Sequence, residues 1–593
     1  MPNVNVQFLG QTLVLPGAYY ADNVSQALVP VQSLTPPLIF IGDFYGLAPK
    51  TPTTYTNAQD AKNAIRGAPS ATYIDFMTNP SPSLNGAQYI TLINASENTQ
   101  STAYITSGSA ANLIELTSAN YGAASNLLQY EVAAGTVAGY NVTIYDGYTN
   151  TSVEGQNLGV PFQLAYAGTA SGVTYTVSGT SAGATTFIIN SPNAGESVSI
   201  DITGSGYSTI ASLVAYLNGT GYYSAAVVSN GNLPSVNLNL ASAVSLPVAV
   251  SGAYQYKNVA ATLGDIIYWA NQYASNYVSA ALVSGVALTG TSSVNEVGLT
   301  HFTGGTNVPP TNQDYADAFN VALQTPGWVV FADSNNSAVT ALGMQHAQTA
   351  SSIPYKAWRR FVTGSSVGDS VTTTVQNATQ LNSFESTYCY PGIYRTDTTT
   401  GLNTLYGGIA WAAAVAGIMA GNIIAQPLTN QQLSGTGVEK AGGANSYLTV
   451  SQINQLQNAG VMVLNYPNTN VPTIVSDLTT WQGDNNPENV FNQQVACRWG
   501  LAYSLSAAVA PYIGTIASPY GLTRVRNAIV TQLNNLIYSP GNNGVLVSWD
   551  AKSLVLNYNG ATQTLSITVN VVLVGQIRFI LEQTFVQPLN LSA

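Results

Sequence analysis

Near its end the chain alternates: Leu565, Ile567, Val569 and Val571 are separated by Ser566, Thr568 and Asn570. A period of two predicts a half-buried strand. The first residues mirror it, with Val4, Val6 and Phe8 between Asn3, Asn5 and Gln7, and Pro16–Gly17 turning the chain soon after. A strand at each end exposes an edge of unpaired N–H and C=O groups, so both are expected to find partners. Residues 38–41 are a continuous apolar run closed by Gly42, and residues 57–65 have helical spacing, giving strand, loop, helix.

Residues 116–260 carry short alternating runs such as "GYNVTIYDG", "GVTYTVSG" and "ESVSIDITG" between turn residues, which predicts a β-sandwich or similar all-β module. Within it "TIASLVAYLN" followed by "YYSAAVV" (209–228) matches "TLGDIIYWAN" followed by "YVSAALV" (262–283), each a helix leading to a strand. Duplication and a shared local solution both account for the match. From residue 301 the pattern becomes α/β. Thr311 and Asp314 have capping-box spacing, "WVVFAD" and "WRRFVTG" read as strands, and Thr449 with Gln452 starts a helix that stops at Gly460, before "VMVLNY". This alternation predicts a largely parallel sheet covered by helices. The expected divisions are 1–35, 36–115 (first part of the core), 116–300 (β-rich insertion), 301–482 (α/β domain) and 483–593 (α+β domain).

Composition changes the picture in one respect. Only 7% of residues are charged, while 36 tyrosines and abundant Asn, Ser, Thr and Gly supply polarity, which suits a chain packed against neighbours. Net charge is −9 over residues 1–300, −3 over 301–482 and +1 over 483–593. No cationic side chain occurs between Arg66 and Lys257, so nothing there neutralises phosphates and direct nucleic-acid binding is not expected. Cys389 and Cys497 are too few for a disulfide framework and are expected to be buried thiols. No signal peptide is expected at the start. The stretch 408–425 is apolar but Ala-rich and short, with Asn422 and several glycines, so it is expected to be a buried helix rather than a membrane span.

Candidate chemistry is sparse. His301 and His346 are the only histidines and neither has a ligand-spaced neighbour, so no metal is expected. Asp333 after a strand and His346 on the next helix raise a Ser/His/Asp hydrolase, but no G-x-S-x-G elbow accompanies them. "FTGGTN" (302–307) lacks the Lys-Ser/Thr of a P-loop and the third glycine of a dinucleotide fingerprint. No catalytic residue and no cofactor are assigned.

Several segments, in this order, resemble the tail sheath proteins of contractile-tailed phages and related contractile injection systems. They are "LPGAYYADN" with "PLIFIGDFYGLAPKTPTTYTNAQD", then "LTSANYGAASNLLQYEV", "LTHFTGGTN" before an acidic helix, "WVVFAD" before a helix with a histidine, "LQNAGVMVL", and "RVRNAIVTQLNNL" with the closing strands. The resemblance runs along most of the chain and rests on collinearity. It implies a subtilisin-like central domain (301–482) without protease activity, an amino-terminal arm (1–35), an insertion (116–300) on the outer surface and a carboxy-terminal linking arm over 563–593. It further implies a homo-oligomer of hexameric rings stacked helically around a tail tube protein, with baseplate and terminator proteins at the ends and no stable membrane insertion. The setting it implies is the virion, with assembly in the host cytoplasm. Arms linking subunits would use the strands with Val4, Val6 and Phe8 and with Leu565, Ile567, Val569 and Val571. Hinges would lie at Pro16–Gly17 and around residues 557–562, and Arg524 and Arg526 would face the tube. The rival readings are a surface-layer, capsid or fibre protein, and a secreted subtilisin-like hydrolase.

Overall fold

The computed structural model describes residues 6–8, 11–13, 37–352, 355, 357–443, 445–466, 471–539 and 543–578. Val4, Pro16 and Gly17 of the expected first arm lie outside them.

The continuous apolar runs build the body. Six parallel strands stand in the order Val461–Asn465, Ser386–Tyr390, Arg360–Gly364, Val329–Ala332, Leu38–Gly42 and Ile90–Asn94. Thr473–Ile474 and Pro52–Tyr55 are antiparallel edges. Such strands are buried on both faces, which is why they read as runs rather than alternations. Leu38, Phe40 and Phe331 face Phe76 and the helix Gly408–Gly421. Ile39, Ile41 and Val330 face Tyr315, Phe319 and Val339, on helices Asn312–Leu323 and Ser337–Ser351. The capping box at Thr311 is formed, with Thr311 N–H donating to Asp314 Oδ2 (2.8 Å) and Asp314 N–H to Thr311 Oγ1 (3.3 Å). Thr449 and Gln452 make the same exchange, and the helix Val450–Asn458 stops ahead of Gly460, whose φ is +73°.

The apolar stretch 408–425 contains the buried helix Gly408–Gly421, in which every residue but Met419 is buried. Among the described residues no helix is long and apolar enough to cross a membrane. Two glycines let it approach the neighbouring backbone: a Cβ on Gly417 would lie 2.1 Å from Met77 O, and one on Gly421 2.0 Å from Gly86 O.

The body draws residues from both sides of a long insertion. The boundary expected at residue 115 falls inside the strand Asn112–Tyr121, which pairs with Gln100–Thr106 within the insertion. The true junction is a neck where segments 98–102 and 303–308 bond to each other. Thr102 and Thr303 exchange N–H···O bonds of 2.8 and 3.0 Å, Thr99 N–H reaches Thr306 O (3.1 Å), and Val308 N–H reaches Asn98 Oδ1 (2.8 Å). A neck made of Thr, Asn and Gly has no apolar alternation to betray it.

The insertion contains two modules of one topology. In the first, one sheet has the order Val278–Leu282, Asn112–Tyr121, Gln100–Thr106, and the other Thr151–Leu158, Tyr140–Asp146, Leu128–Ala134, Val297–His301. The second is nested between strand Thr151–Leu158 and helix Thr262–Tyr273. Its sheets are Tyr223–Val227, Phe162–Tyr166, Lys257–Val259, and Val198–Asp201, Gly183–Asn190, Thr174–Thr180, Ala241–Ser245. All neighbours are antiparallel in both. The chain visits equivalent elements in the same order, except that the outer strand of the three-stranded sheet comes first in one module and last in the other. The ends of the nested module meet, Ala261 N–H donating to Gly159 O (2.9 Å).

The matched sequence unit occupies the same place in both copies. Asn218, at the end of helix Ile210–Gly219, donates to Ala225 O (2.9 Å) and accepts from Ala225 N–H (2.7 Å) on the strand that follows. Asn271 does the same with Ala280, at 2.9 and 2.8 Å. Shared topology and a shared amide lock make these two copies of one module.

The last domain packs helices Asn492–Val509 and Pro519–Asn535 against an antiparallel hairpin, Leu546–Asn559 with Thr564–Leu573, around Cys497, Leu501, Ile529, Leu533, Leu554 and Val571. Leu565, Ile567, Val569 and Val571 lie on the packed side and Ser566, Thr568 and Asn570 are exposed, as the alternation predicts. The partner was not foreseen: Leu565 stands opposite Tyr558 and Val571 opposite Trp549 of the same chain. Residues 557–562, expected as a hinge, include this hairpin's turn, and an arm over 563–593 can begin only after Leu573. Val6–Phe8 is likewise one strand of a hairpin with Gln11–Leu13. Among the described residues each hairpin is a two-stranded sheet with no third strand; the outer edge of the terminal one is bridged to Ile537 at Leu546, where Tyr538 N–H donates to Leu546 O (2.7 Å), and has no strand beside it further along.

Asn218→Ala and Asn271→Ala each leave a strand N–H and C=O without their amide partner, and each is expected to destabilise its own module by about 1–3 kcal/mol. Urea unfolding of the full chain checks this; a shift of only a few tenths of a kcal/mol in both variants would show that the lock is not holding the modules.

Candidate functional site

In an open parallel sheet, a ligand site is expected beyond the carboxyl ends of adjacent strands whose connections run in opposite directions. Leu38–Gly42 leads through helices on one face to Ile90–Asn94, whereas Val329–Ala332 leads through a helix on the other face to Arg360–Gly364. Each of the two is followed at once by an aspartate. Asp333 Oδ2 accepts from Asp43 N–H (2.9 Å) and Ser70 Oγ (2.5 Å), and its Oδ1 accepts from Tyr315 Oη (2.6 Å). Ser96 Oγ donates to Asp43 Oδ1. Burial pushes both carboxyls above the usual range, and at Asp43 the neighbouring Asp333 adds to the rise. Both carboxylate oxygens of Asp333 are thus engaged by the protein itself. The cluster ties two strand ends to the helix Ala71–Thr78, whose N-cap is Ser70, and to the helix carrying Tyr315.

Neither histidine joins it. His346 packs on Phe319, with ring centres 5.4 Å apart, and its Nε2 lies 3.0 Å from the Arg359 guanidinium. Burial, then the Arg359 charge, push this imidazole down to about 3, so it is neutral and accepts from Arg359. Arg359 also donates to the carbonyls of Ala322 and Thr325, capping the end of helix Asn312–Leu323 with a cation. His301 is exposed in the first module, beside Gln129 (2.7 Å). The Ser70–Asp333 contact therefore has no imidazole, and the triad considered from sequence is not assembled. Among the described residues no group of three His, Cys, Asp or Glu could hold a metal ion. Cys389 and Cys497 are free, buried thiols, and burial pushes Cys497 up to about 12.

The described arm residues split between the two hairpins. Val6 and Phe8 lie on the first; Leu565, Ile567, Val569 and Val571 lie on the terminal one. Arg524 and Arg526 do not share a face. Residues two apart on a helix point about 200° apart, and here they flank the buried Val525: Arg524 lies over the Tyr512 ring (5.6 Å), while Arg526 donates to Leu554 O (3.1 Å).

Sequence reasoning passed over the joint between body and insertion. Arg66, beyond helix Ala58–Ala64, reaches the carboxylate of Asp146 with both terminal nitrogens, at 2.9 and 2.8 Å, and stacks over Tyr148 (4.9 Å). Both partners are buried. Burial alone would raise the Asp146 carboxyl, but the bonds and charge of Arg66, with Tyr148 N–H and Thr149 Oγ1, outweigh it and hold the group below the usual range. The available signal was that Arg66 is the last cation before Lys257.

A parallel α/β body interrupted by outboard β-modules and followed by a helix-and-hairpin domain is a sheath-type architecture. The sheath tail protein of Listeria innocua shares it over 92% of this chain and 95% of that one, with a TM-score of 0.57 at 12% identity. That of Desulfitobacterium hafniense does so over 91% and 93%, at 0.50 and 13%. No protein-family model matches the chain. In sequence, it is 27% identical over 489 residues to the tail sheath protein of Bacillus phage SP01, covering 81% of this chain and 80% of that one. In sequence and in fold the chain is similar to tail sheath proteins.

Arg66→Met leaves Asp146 buried without its partner and is expected to weaken the body–insertion joint by about 3–5 kcal/mol. In the folded protein the Asp146 carboxyl is held below the usual carboxylate range, so its contribution is fully present above the unfolded pKa and is lost as pH falls through the depressed one. Limited proteolysis at the neck between pH 6 and pH 2 reads both effects; cleavage that is independent of pH, and equal in Arg66→Met, would contradict the assignment.

Proposed function

We propose that this chain is the structural subunit of a contractile tail sheath. Copies stack as rings around a tail tube and shorten to drive the tube through the host envelope. The observation that carries the reading is the collinear likeness to a phage tail sheath protein over four-fifths of both chains. Its role is mechanical rather than enzymatic, in keeping with the engaged Asp333 carboxylate and the distant histidines. The finer points of the same proposal are a body of subtilisin-like type, hexameric rings in helical stacks, contacts with tube, baseplate and terminator proteins, and assembly in the host cytoplasm before incorporation in the virion.

The hairpins suggest how subunits stay linked. A two-stranded sheet with open edges can accept a strand from a neighbour, main-chain bonds giving affinity and alternate side chains register. In this proposal the terminal hairpin is the acceptor and the chain ends of neighbours, beyond Leu573 and before Leu38, are the donors, with Pro16–Gly17 as a hinge. Contraction draws on burial: at about 25 cal/mol per Å2, a few hundred Å2 of extra apolar contact per subunit would release several kcal/mol, repeated over every copy.

Purified protein is expected to form striated hollow tubes in negative-stain microscopy; flat lattices or persistent monomers would count against the sheath reading. Truncation after Arg578 spares Val571 and Leu573 of the last core, whereas removal of 563–593 would not. The shorter truncation is expected to give folded monomers without tubes. Tubes of normal length from it would remove the carboxy-terminal donor from the scheme.

A further inference from the structure

A cavity of about 30 Å3 lies where the last domain meets the body, with an apolar rim that includes Trp328 and Ile418 and with polar lining residues that include, besides Gln426, the four residues Arg360, Asp477, Asn492 and Gln493. The four are 5%, 0%, 1% and 3% exposed. Most of their polar atoms are accounted for. Arg360 donates to Asn492 Oδ1, which also accepts from Thr387 Oγ1 (2.8 Å), and Asn492 Nδ2 donates to Leu478 O (2.7 Å). Asp477 Oδ2 accepts from Gln493 N–H (3.0 Å), and Gln493 Nε2 donates to Ala425 O (2.8 Å). Three atoms on residues lining the cavity have no protein partner: Arg360 Nε, a donor, and Asp477 Oδ1 and Gln493 Oε1, both acceptors. Arg360 and Asp477 are coupled in charge without being in direct contact.

We propose that this cavity holds an ordered water that accepts from Arg360 Nε and donates to Asp477 Oδ1 and Gln493 Oε1, joining a buried cation and carboxylate through one molecule. The chemistry selects the occupant. A halide would satisfy the guanidinium but would face a carboxylate and an amide oxygen. A metal cation would suit the two oxygens but would sit against a guanidinium. Water supplies the one acceptor and two donors needed, and a cavity above roughly 10–15 Å3 admits it. The three orphan atoms, each costly to bury alone, are then satisfied together. The site spans strand Arg360–Gly364, the segment holding Asp477, and the first turn of helix Asn492–Val509, so the last domain is fastened to the sheet by a hydrated polar contact set in an apolar rim.

A map of the full-length protein at a resolution that shows ordered water tests this. A single peak about 2.7–3.2 Å from all three atoms is expected. No peak, direct closure of Arg360 on Asp477, or a peak at metal–oxygen distances would overturn the proposal. In Gln493→Met, which keeps side-chain length but has no acceptor, the peak is expected to vanish while Arg360 and Asp477 stay in place. Exchange of the 492–497 amides is expected to rise about tenfold. A peak that persists unchanged, or unchanged exchange, would equally refute it.

Discussion

Everything in the body is set by how closely the helix Gly408–Gly421 sits against its neighbours. A helix of alanines and glycines offers little side-chain bulk, so it gains contact only through proximity. Gly408 abuts the strand end at Cys389, and Gly417 and Gly421 abut the backbone around Met77 and Gly86. Trp411, fully buried, fills what the small residues leave and donates its ring N–H to Pro391 O (2.6 Å). At the far end Asn422 donates to Asn85 O (2.7 Å). With that face closed by it and by the helices Ala58–Ala64 and Ala71–Thr78, the strands become inner strands with no wet side, and helices Asn312–Leu323 and Ser337–Ser351 cover the opposite face.

Charge is spent sparingly and at joints. Arg66 and Asp146 couple body to insertion. Lys50 bridges Glu97 and Asp314 at the base of the neck. Asp265 of the first module accepts from Ser229 (2.5 Å) and Asn230 (2.6 Å) of the nested one and from Gly159 N–H (2.8 Å). Arg360 faces Asp477 where the last domain docks. Whereas other buried ions, such as Arg359 in the body and Glu196 in the nested module, serve within a single unit, these fix how units meet. Ionic groups suit that task because misplacement leaves a charge without its partner, a larger penalty than a slipped apolar contact.

The sequence revealed most where a period coincides with burial. The runs at 38–41 and in "WVVFAD" could only be inner strands, the capping boxes at Thr311 and Thr449 marked helix starts, and alternation over 565–571 correctly divided packed from exposed side chains. It could not reveal pairing. A half-buried strand looks the same whether its partner is a hairpin or another subunit, so the terminal strand read as an arm when Leu546–Asn559 already bonds to it. Discontinuity was hidden for a related reason, because the two halves of the sheet carry no mark that they belong together. Asp43 and Asp333 each follow an apolar strand, which is visible in sequence, but their convergence depends on strand order, which is not.

The neck and the junction at Gly159 and Ala261 repeat one device: the chain departs and returns through segments already bonded to each other. For the enclosing fold, whatever lies between costs only the entropy of closing a loop whose ends are fixed, and that cost grows with the logarithm of length. A module of any size can then be accommodated, and its own paired ends offer the next place to open. The inserted part of this chain can therefore grow from within, by nesting, while the parallel body stays unchanged.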